Sequence, residues 1–160
     1  MSNLPSNFEE AIKNAKRLSN KILIDGKLIS SSTDNKIKVI NPSTGENIGE
    51  APQCDKNDVD QAVKSSLNAF KEWKKIPARE RGRLVELGAR NLEESKGEIE
   101  TLLSLDTGNA LRTQAKPETA ASIELTRMFA GLSGEIKGEN YPPNIANTLH
   151  FTTRDPIGVV

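Results

Sequence analysis

The sequence predicts an α/β fold in which short antiparallel strands and hairpins are followed by packed helices. Three observations carry this. Between residues 21 and 51, short alternating runs are broken by Asp25-Gly26 and by Asn41-Pro42-Ser43-Thr44-Gly45. Alternation is the period of a half-buried strand, and Asp-Gly is the strongest short hairpin signal because both turn positions favour positive φ. From Asp55 onward apolar residues recur at three and four, the period of a helix with one buried face. The last twenty residues return to strand and turn character.

Composition bounds the class. The chain has 160 residues, with 22 Lys and Arg against 22 Asp and Glu, so its formal net charge is zero. That length suggests one domain. Zero net charge argues against a general nucleic-acid binder, which needs a surplus of Lys and Arg to neutralise phosphates. No apolar run approaches the roughly 20 residues that span a bilayer, so no membrane-crossing helix is expected. The opening residues carry acids and lack an apolar h-region, so they do not read as a secretory signal. One Cys cannot form an internal disulfide or a multi-Cys metal site. A cytoplasmic protein, with no nucleic-acid or membrane partner, is the expectation.

The elements follow in order. Residues 6–19 read as an amphipathic helix: Ser6 and Glu9 have capping-box spacing, and Phe8, Ile12, Ala15 and Leu18 share a face. Residues 21–24 and 27–29 form a hairpin around Asp25-Gly26. Residues 30–35 are a polar loop, 36–40 a strand, and 46–51 its partner across the Asn41–Gly45 turn. Asp55 caps the next helix, with Asp58 complementing the helix dipole. Its inward face is Val59, Ala62, Val63, Leu67, Phe70 and Trp73, and Pro77 ends it. A helix from about Ala78 buries Leu84, Leu87, Gly88 and Leu92. Another covers 97–105 with Ile99, Leu102 and Leu103 inward, and Gly108 stops it. Pro117 suits the first turn of a further helix. Its stripe is Ala121, Leu125, Met128, Phe129, Leu132 and Ile136, and Gly138 closes it. Residues 148–160 then read as β-type. The closing Pro156-Ile157-Gly158-Val159-Val160 lacks the polar ending usual for a chain terminus, so a truncated chain is expected.

Residues with possible chemistry each have an ordinary reading. Cys54 precedes a helix whose terminal amides could lower a thiol pKa, yet no His is near in sequence and Asp55 and Asp58 oppose a thiolate. An unreactive loop cysteine is the expectation. His150, the only imidazole, stands between Leu149 and Phe151 without a Cys, Asp or Glu neighbour, and reads as packed or solvent-facing. Gly131, Gly134 and Gly138 end a helix, whereas a dinucleotide loop follows a strand and opens one. Arg79, Arg81, Arg83 and Arg90 are balanced by Glu80, Glu86, Glu93 and Glu94, which fits a solvated, ion-paired face better than an anion site. Phe70 and Trp73 read as core.

An ordered series of local motifs goes further. Ile22-Leu23-Ile24-Asp25-Gly26-Lys27, then Val39-Ile40-Asn41-Pro42-Ser43-Thr44-Gly45-Glu46, then Asp55-Lys56-Asn57-Asp58-Val59-Asp60-Gln61-Ala62-Val63 resembles the start of the aldehyde dehydrogenase superfamily. Phe70-Lys71-Glu72-Trp73, Arg81-Gly82-Arg83-Leu84, Leu105-Asp106-Thr107-Gly108, Phe129-Ala130-Gly131, Ile136-Lys137-Gly138-Glu139 and Arg154-Asp155-Pro156-Ile157-Gly158-Val159-Val160 continue it in family order. Each piece is weakly specific, and the series from about residue 20 to the last residue is highly specific. One departure is that Asn109-Ala110 follows Gly108 where many members have Lys-Pro, which loosens a turn and touches no catalytic group.

The resemblance implies a chain much shorter than the family's. Members have a Rossmann-like NAD(P)-binding domain, a catalytic domain and an oligomerisation arm. It implies a helical extension over 1–20, the first part of the NAD(P)-binding domain over 21–140, and the start of the arm over 141–160. In the complete enzyme a cysteine attacks the aldehyde carbon and backbone and Asn donors stabilise the oxyanion. Hydride passes to NAD or NADP, and glutamate-activated water releases the acid. No position here matches the nucleophile, the base, the cofactor lysine or the nucleotide loop. The expected site content is therefore none: no catalytic, cofactor-binding or metal residue, and no role for Cys54. The implied partners are a small aldehyde and further copies of the chain, as dimer or tetramer through 141–160. A free-standing, non-catalytic interaction module derived from the same fold is the alternative.

Overall fold

The structure, a computed structural model, describes residues 6–160, apart from the side chains of Ser6 and Leu18. The proposed Ser6 capping bond, the Leu18 contact and residues 1–5 of the extension lie outside the described residues. Helix α1 spans Ser6–Leu18. Two hairpins follow: β1 (Lys21–Ile24) with β2 (Lys27–Ser30), and β3 (Lys36–Ile40) with β4 (Asn47–Pro52). Four helices come next: α2 (Lys56–Trp73), α3 (Ala78–Glu94), α4 (Lys96–Thr107) and α5 (Lys116–Gly131). A short ribbon of β5 (Asn140–Tyr141) and β6 (His150–Phe151) follows them. The strands form three separate two-stranded antiparallel sheets.

The turns obey their residues. Asp25 and Gly26 have φ of 54° and 70°, so β1 and β2 meet in register through a primed turn, with Ile24 opposite Lys27. At the second turn the buried Asn41 side chain accepts from the Ser43 N–H at 2.9 Å, and its carbonyl accepts from the Gly45 N–H at 2.8 Å. Gly108 ends α4 at φ +74°, where a Cβ would lie 2.8 Å from Pro42 Cγ. Left-handed backbone and close packing both demand glycine there. The Asn41-Pro42 and Thr107-Gly108 motifs, 66 residues apart by number, thus meet in space. Asn109-Ala110 leaves the turn intact: Ser104 Oγ donates to the Asn109 carbonyl at 2.7 Å, and the Ala110 N–H donates to Gln114 Oε1 at 3.0 Å. A π-helical turn, Leu111–Ala115, leads into α5, and the sequence offered no signal for it.

The core is small. Ala11 of α1, Ile48 of β4 and Leu105 of α4 are buried together, with Phe8, Ile12, Val39 and Leu102 packed around them. Helices α3 and α5 pair through Gly82, Ala89, Ile123 and Ala130, all buried. Here the helix faces read from periodicity need correction. Leu84, Leu87 and Leu92 of α3, and Ala121, Leu125, Met128 and Phe129 of α5, are exposed, as are Leu132 and Ile136 beyond it, with Phe129 at 62%. Gly88 also faces open space. On α2 only Ala62 and Phe70 of the expected face are half-buried, and Trp73 is 40% exposed. Small residues let the α3 and α5 backbones approach closely, so these become the packed side. The bulky stripes then face away, and no described residue covers them.

Two further corrections concern the second half. Helix α5 ends at Gly131, not near Gly138, and Leu132–Glu135 continues as a single 3-10 turn before Ile136 becomes extended. Gly131 and Gly134 weaken helix propagation there. Within 148–160, only His150 and Phe151 are paired as strand.

Candidate functional site

Each residue singled out by sequence now has a position. Cys54 is exposed immediately before the α2 cap. His150 is exposed in β6, its ring 5.6 Å from that of Tyr141 and tilted by 46°. No hydrogen bond joins the two residues, and the ring neighbour of His150 is Tyr141. Among the described residues no group of three His, Cys, Asp or Glu side chains could hold a metal ion, and no helix is long and apolar enough to cross a membrane.

The glycines in the second half serve packing. Gly131 closes α5, and Gly134 lies in the 3-10 turn. At Gly138 a Cβ would lie 1.8 Å from the Thr152 carbonyl oxygen. The Thr152 N–H donates to the Glu139 carbonyl at 2.8 Å, and the Glu139 N–H donates to Thr152 Oγ1 at 2.9 Å. The glycine admits this crossing of strands. Gly131 separates α5 from the 3-10 turn and Gly134 lies inside that turn, so none of the three glycines precedes an α-helix.

The densest polar constellation is the α2 N-terminus. Asp55 Oδ1 accepts from the N–H groups of Asn57 and Asp58 at 2.8 and 3.1 Å. Asp58 reaches back to the Asp55 N–H at 3.3 Å, completing a reciprocal cap. The same carboxylates hold the β2–β3 loop. Ser31 Oγ and the Ser32 N–H donate to Asp58 at 2.6 and 2.9 Å, and Ser32 Oγ donates to Asp55 at 2.8 Å. Both carboxyls sit below their ordinary pKa. For Asp55 the chief cause is the Asp58 backbone N–H, then the Ser32 hydroxyl; for Asp58 it is the Ser31 hydroxyl, then the Ser32 N–H. Bonds to the charged form favour that form. These bonds make the two carboxylates a clamp between the α2 cap and the β2–β3 loop.

Two of the four arginines expected on the basic face of α3 are ion-paired. Arg83 meets Glu80 at 3.2 Å and Arg90 meets Glu86 at 3.4 Å, while Arg81 donates to the Ile76 carbonyl that ends the preceding turn. The hub is a residue that sequence reasoning missed. Arg127 of α5 pairs with Glu93 of α3 and, at 2.8 Å, with its neighbour Glu124, and lies 3.9 Å from Glu86. Its pKa is raised, first by the hydrogen bond to Glu93 and then by that to Glu124. The i,i+3 spacing of Glu124 and Arg127 was the one local signal for it. Tyr141 donates to the Glu139 carboxylate, which raises the phenol's pKa by favouring its neutral form.

Comparison with known proteins supplies the remaining context. The chain is 33% identical over 154 residues to an aldehyde dehydrogenase of Enchytraeus buchholzi, covering 94% of this chain and 31% of that protein. It is 32% identical over 152 residues to the human cytosolic 10-formyltetrahydrofolate dehydrogenase, covering 92% of this chain and 17% of that one. The structure superposes on the betaine aldehyde dehydrogenase of Staphylococcus aureus, solved in complex with NAD+, with a TM-score of 0.82 at 27% identity. That match covers 91% of this chain and 29% of the other. The chain therefore spans less than a third of the length of these relatives. The model of the aldehyde dehydrogenase family matches residues 28–160, and the chain belongs to that family.

Proposed function

We propose that a polypeptide containing these residues oxidises an aldehyde to a carboxylic acid with NAD or NADP, and that residues 1–160 support this from outside the reaction centre. The observation that carries the reading is the superposition on an NAD+-bound betaine aldehyde dehydrogenase over 91% of the chain. In this reading 21–140 pack beside the nucleotide-binding sheet and 141–160 begin an arm that joins subunits into a dimer or tetramer in the cytoplasm. None of the residues is catalytic, and none holds the cofactor or a metal. Support comes from the satisfied state of the polar groups: the Asp55–Asp58 carboxylates are bonded to backbone and Ser31 and Ser32, and Cys54 has no His beside it.

The test compares two proteins in one assay of NADH or NADPH formation. The 160-residue chain should reduce neither cofactor with any aldehyde. A chimera, in which these residues replace the matching segment of the Staphylococcus enzyme, should do so. Cys54→Ser in the chimera should change kcat/KM by less than about tenfold, or about 1.4 kcal/mol. A chimera that folds, binds cofactor and oxidises nothing would overturn the reading.

A further inference from the structure

The β2–β3 loop closes over the start of α2 and seats that helix. Asp58 is the only residue of α2 that is buried, at 4% exposed. The loop holds it there, since Ser31 Oγ and the Ser32 N–H donate to its two carboxylate oxygens. Ser32 also donates through Oγ to Asp55, 2.8 Å away. The far side of the loop is tied down separately, by Thr33 Oγ1 donating to the Gln53 carbonyl at 2.8 Å. Of the hydroxyl residues 30–33, only Ser32 is both exposed and bonded to the cap. Ser31 and Thr33 are half-buried, and the exposed Ser30 accepts from Lys21 instead.

We propose that the β2–β3 loop is a latch on α2 and that a phosphoryl group on Ser32 releases it. Transfer from ATP by a serine kinase forms the Oγ–P bond, breaks the Pγ–O bond to ADP, and removes the hydroxyl proton that Ser32 donates to Asp55. The donor is lost, and a charge of about −1.5 to −2 takes its place beside two carboxylates. A helix N-terminus ordinarily welcomes a phosphate through its free amides. Here the N–H groups of Asn57 and Asp58 already donate to Asp55, and that of Asp55 donates to Asp58. Lys56, the cation nearest the cap in sequence, pairs with Asp60 at 2.7 Å. Two carboxylates within hydrogen-bonding reach repel the phosphate more than the helix dipole attracts it. The loop then leaves the cap, and Asp58 loses both of its loop donors.

The test is hydrogen exchange, read by mass spectrometry, on the Staphylococcus chimera with phosphoserine encoded at position 32. Exchange over residues 30–35 and the first turn of α2 should rise at least about tenfold over the unmodified chimera, with α3 unchanged. Ser32→Ala, which loses the hydroxyl but keeps the amide bond to Asp58, should raise it by less than about threefold. Asp55→Asn keeps a capping side chain and removes a like charge. It should therefore restore most of the protection in the phosphorylated protein, which the loss of one hydrogen bond alone does not predict. Ser32→Glu should act in the same direction, more weakly, and keeps the test decisive if the phosphorylated chimera does not fold. Unchanged exchange would overturn the proposal. So would slower exchange, which would mean that Lys56 or Lys21 captures the phosphate and tightens the loop. Equal effects of phosphoserine and alanine, or no recovery with Asp55→Asn, would overturn it as well.

Discussion

Gly82 and Gly88 lie six residues apart on α3 and answer to opposite constraints. A Cβ on Gly82 would lie 2.3 Å from Ser133 Oγ and 2.5 Å from the Ala130 carbonyl oxygen, whereas one on Gly88 would meet nothing within 4 Å. Gly82→Ala must push α5 away and should cost about 1–3 kcal/mol. Gly88→Ala should stabilise by up to about 1 kcal/mol, the helix-propensity gain of an exposed site. Urea unfolding of the two variants in the Staphylococcus chimera reads both; equal effects would show that α3 and α5 do not pack through Gly82. Periodicity puts Gly88 on the inward face beside Leu84 and Leu87, and the structure reverses this. A hydrophobic period weighs side-chain bulk, while close helix approach selects for its absence, so Gly82 sends no signal in that code. Gly108, by contrast, was legible because helix termination at positive φ is a local property.

At the scale of elements, the α2 cap and the β2–β3 loop act as one unit. Asp55 and Asp58 were readable as a cap because their partners sit two and three residues away. Ser31 and Ser32 were not, since 27 and 26 residues separate them from Asp58 and nothing local marks a pairing at that range. The pH dependence follows from the lowered carboxyl pKa values. A carboxyl whose folded pKa lies below its unfolded value stabilises the fold fully above the unfolded value, about 3.8. That contribution is lost as pH falls through the lower, folded value. The Ser32 amide proton should therefore shift in NMR spectra with a midpoint below 3.8, and the loop should loosen in the same range. Asp58→Asn should abolish that titration and weaken protection of the Ser32 amide at neutral pH. A Ser32 shift with a midpoint at or above 3.8 would mean that the carboxylate is not held by the loop.

At the scale of the whole molecule, the element types and order were legible, while the side of each helix that packs was not. The candidate site shows the same division. The ordinary readings of Cys54, His150 and the glycines after α5 follow from immediate neighbours; in the structure Cys54 and His150 are exposed and Gly131 closes α5. Arg127 depends on which helices meet, which no local pattern encodes. That same unknown fixes the behaviour of the molecule in solution. Val59, Val63 and Leu67 on α2, Leu84 and Leu87 on α3, and Leu125, Met128 and Phe129 on α5 are all exposed, and no large side chain among the described residues is fully buried. Stripes of this kind associate in water. The 160-residue chain should show a helical far-UV signal, bind a hydrophobic dye and melt with poor cooperativity, eluting as more than one species. Leu125→Gln with Phe129→Gln should shift the elution toward monomer at unchanged helicity, because both side chains are on the open face. Ile123→Ala, two residues from Leu125 but 3% exposed, should instead cost about 2–5 kcal/mol through lost packing against α3. A monodisperse wild-type monomer with a sharp two-state melt and no dye binding would mean that these stripes are covered within the 160 residues after all.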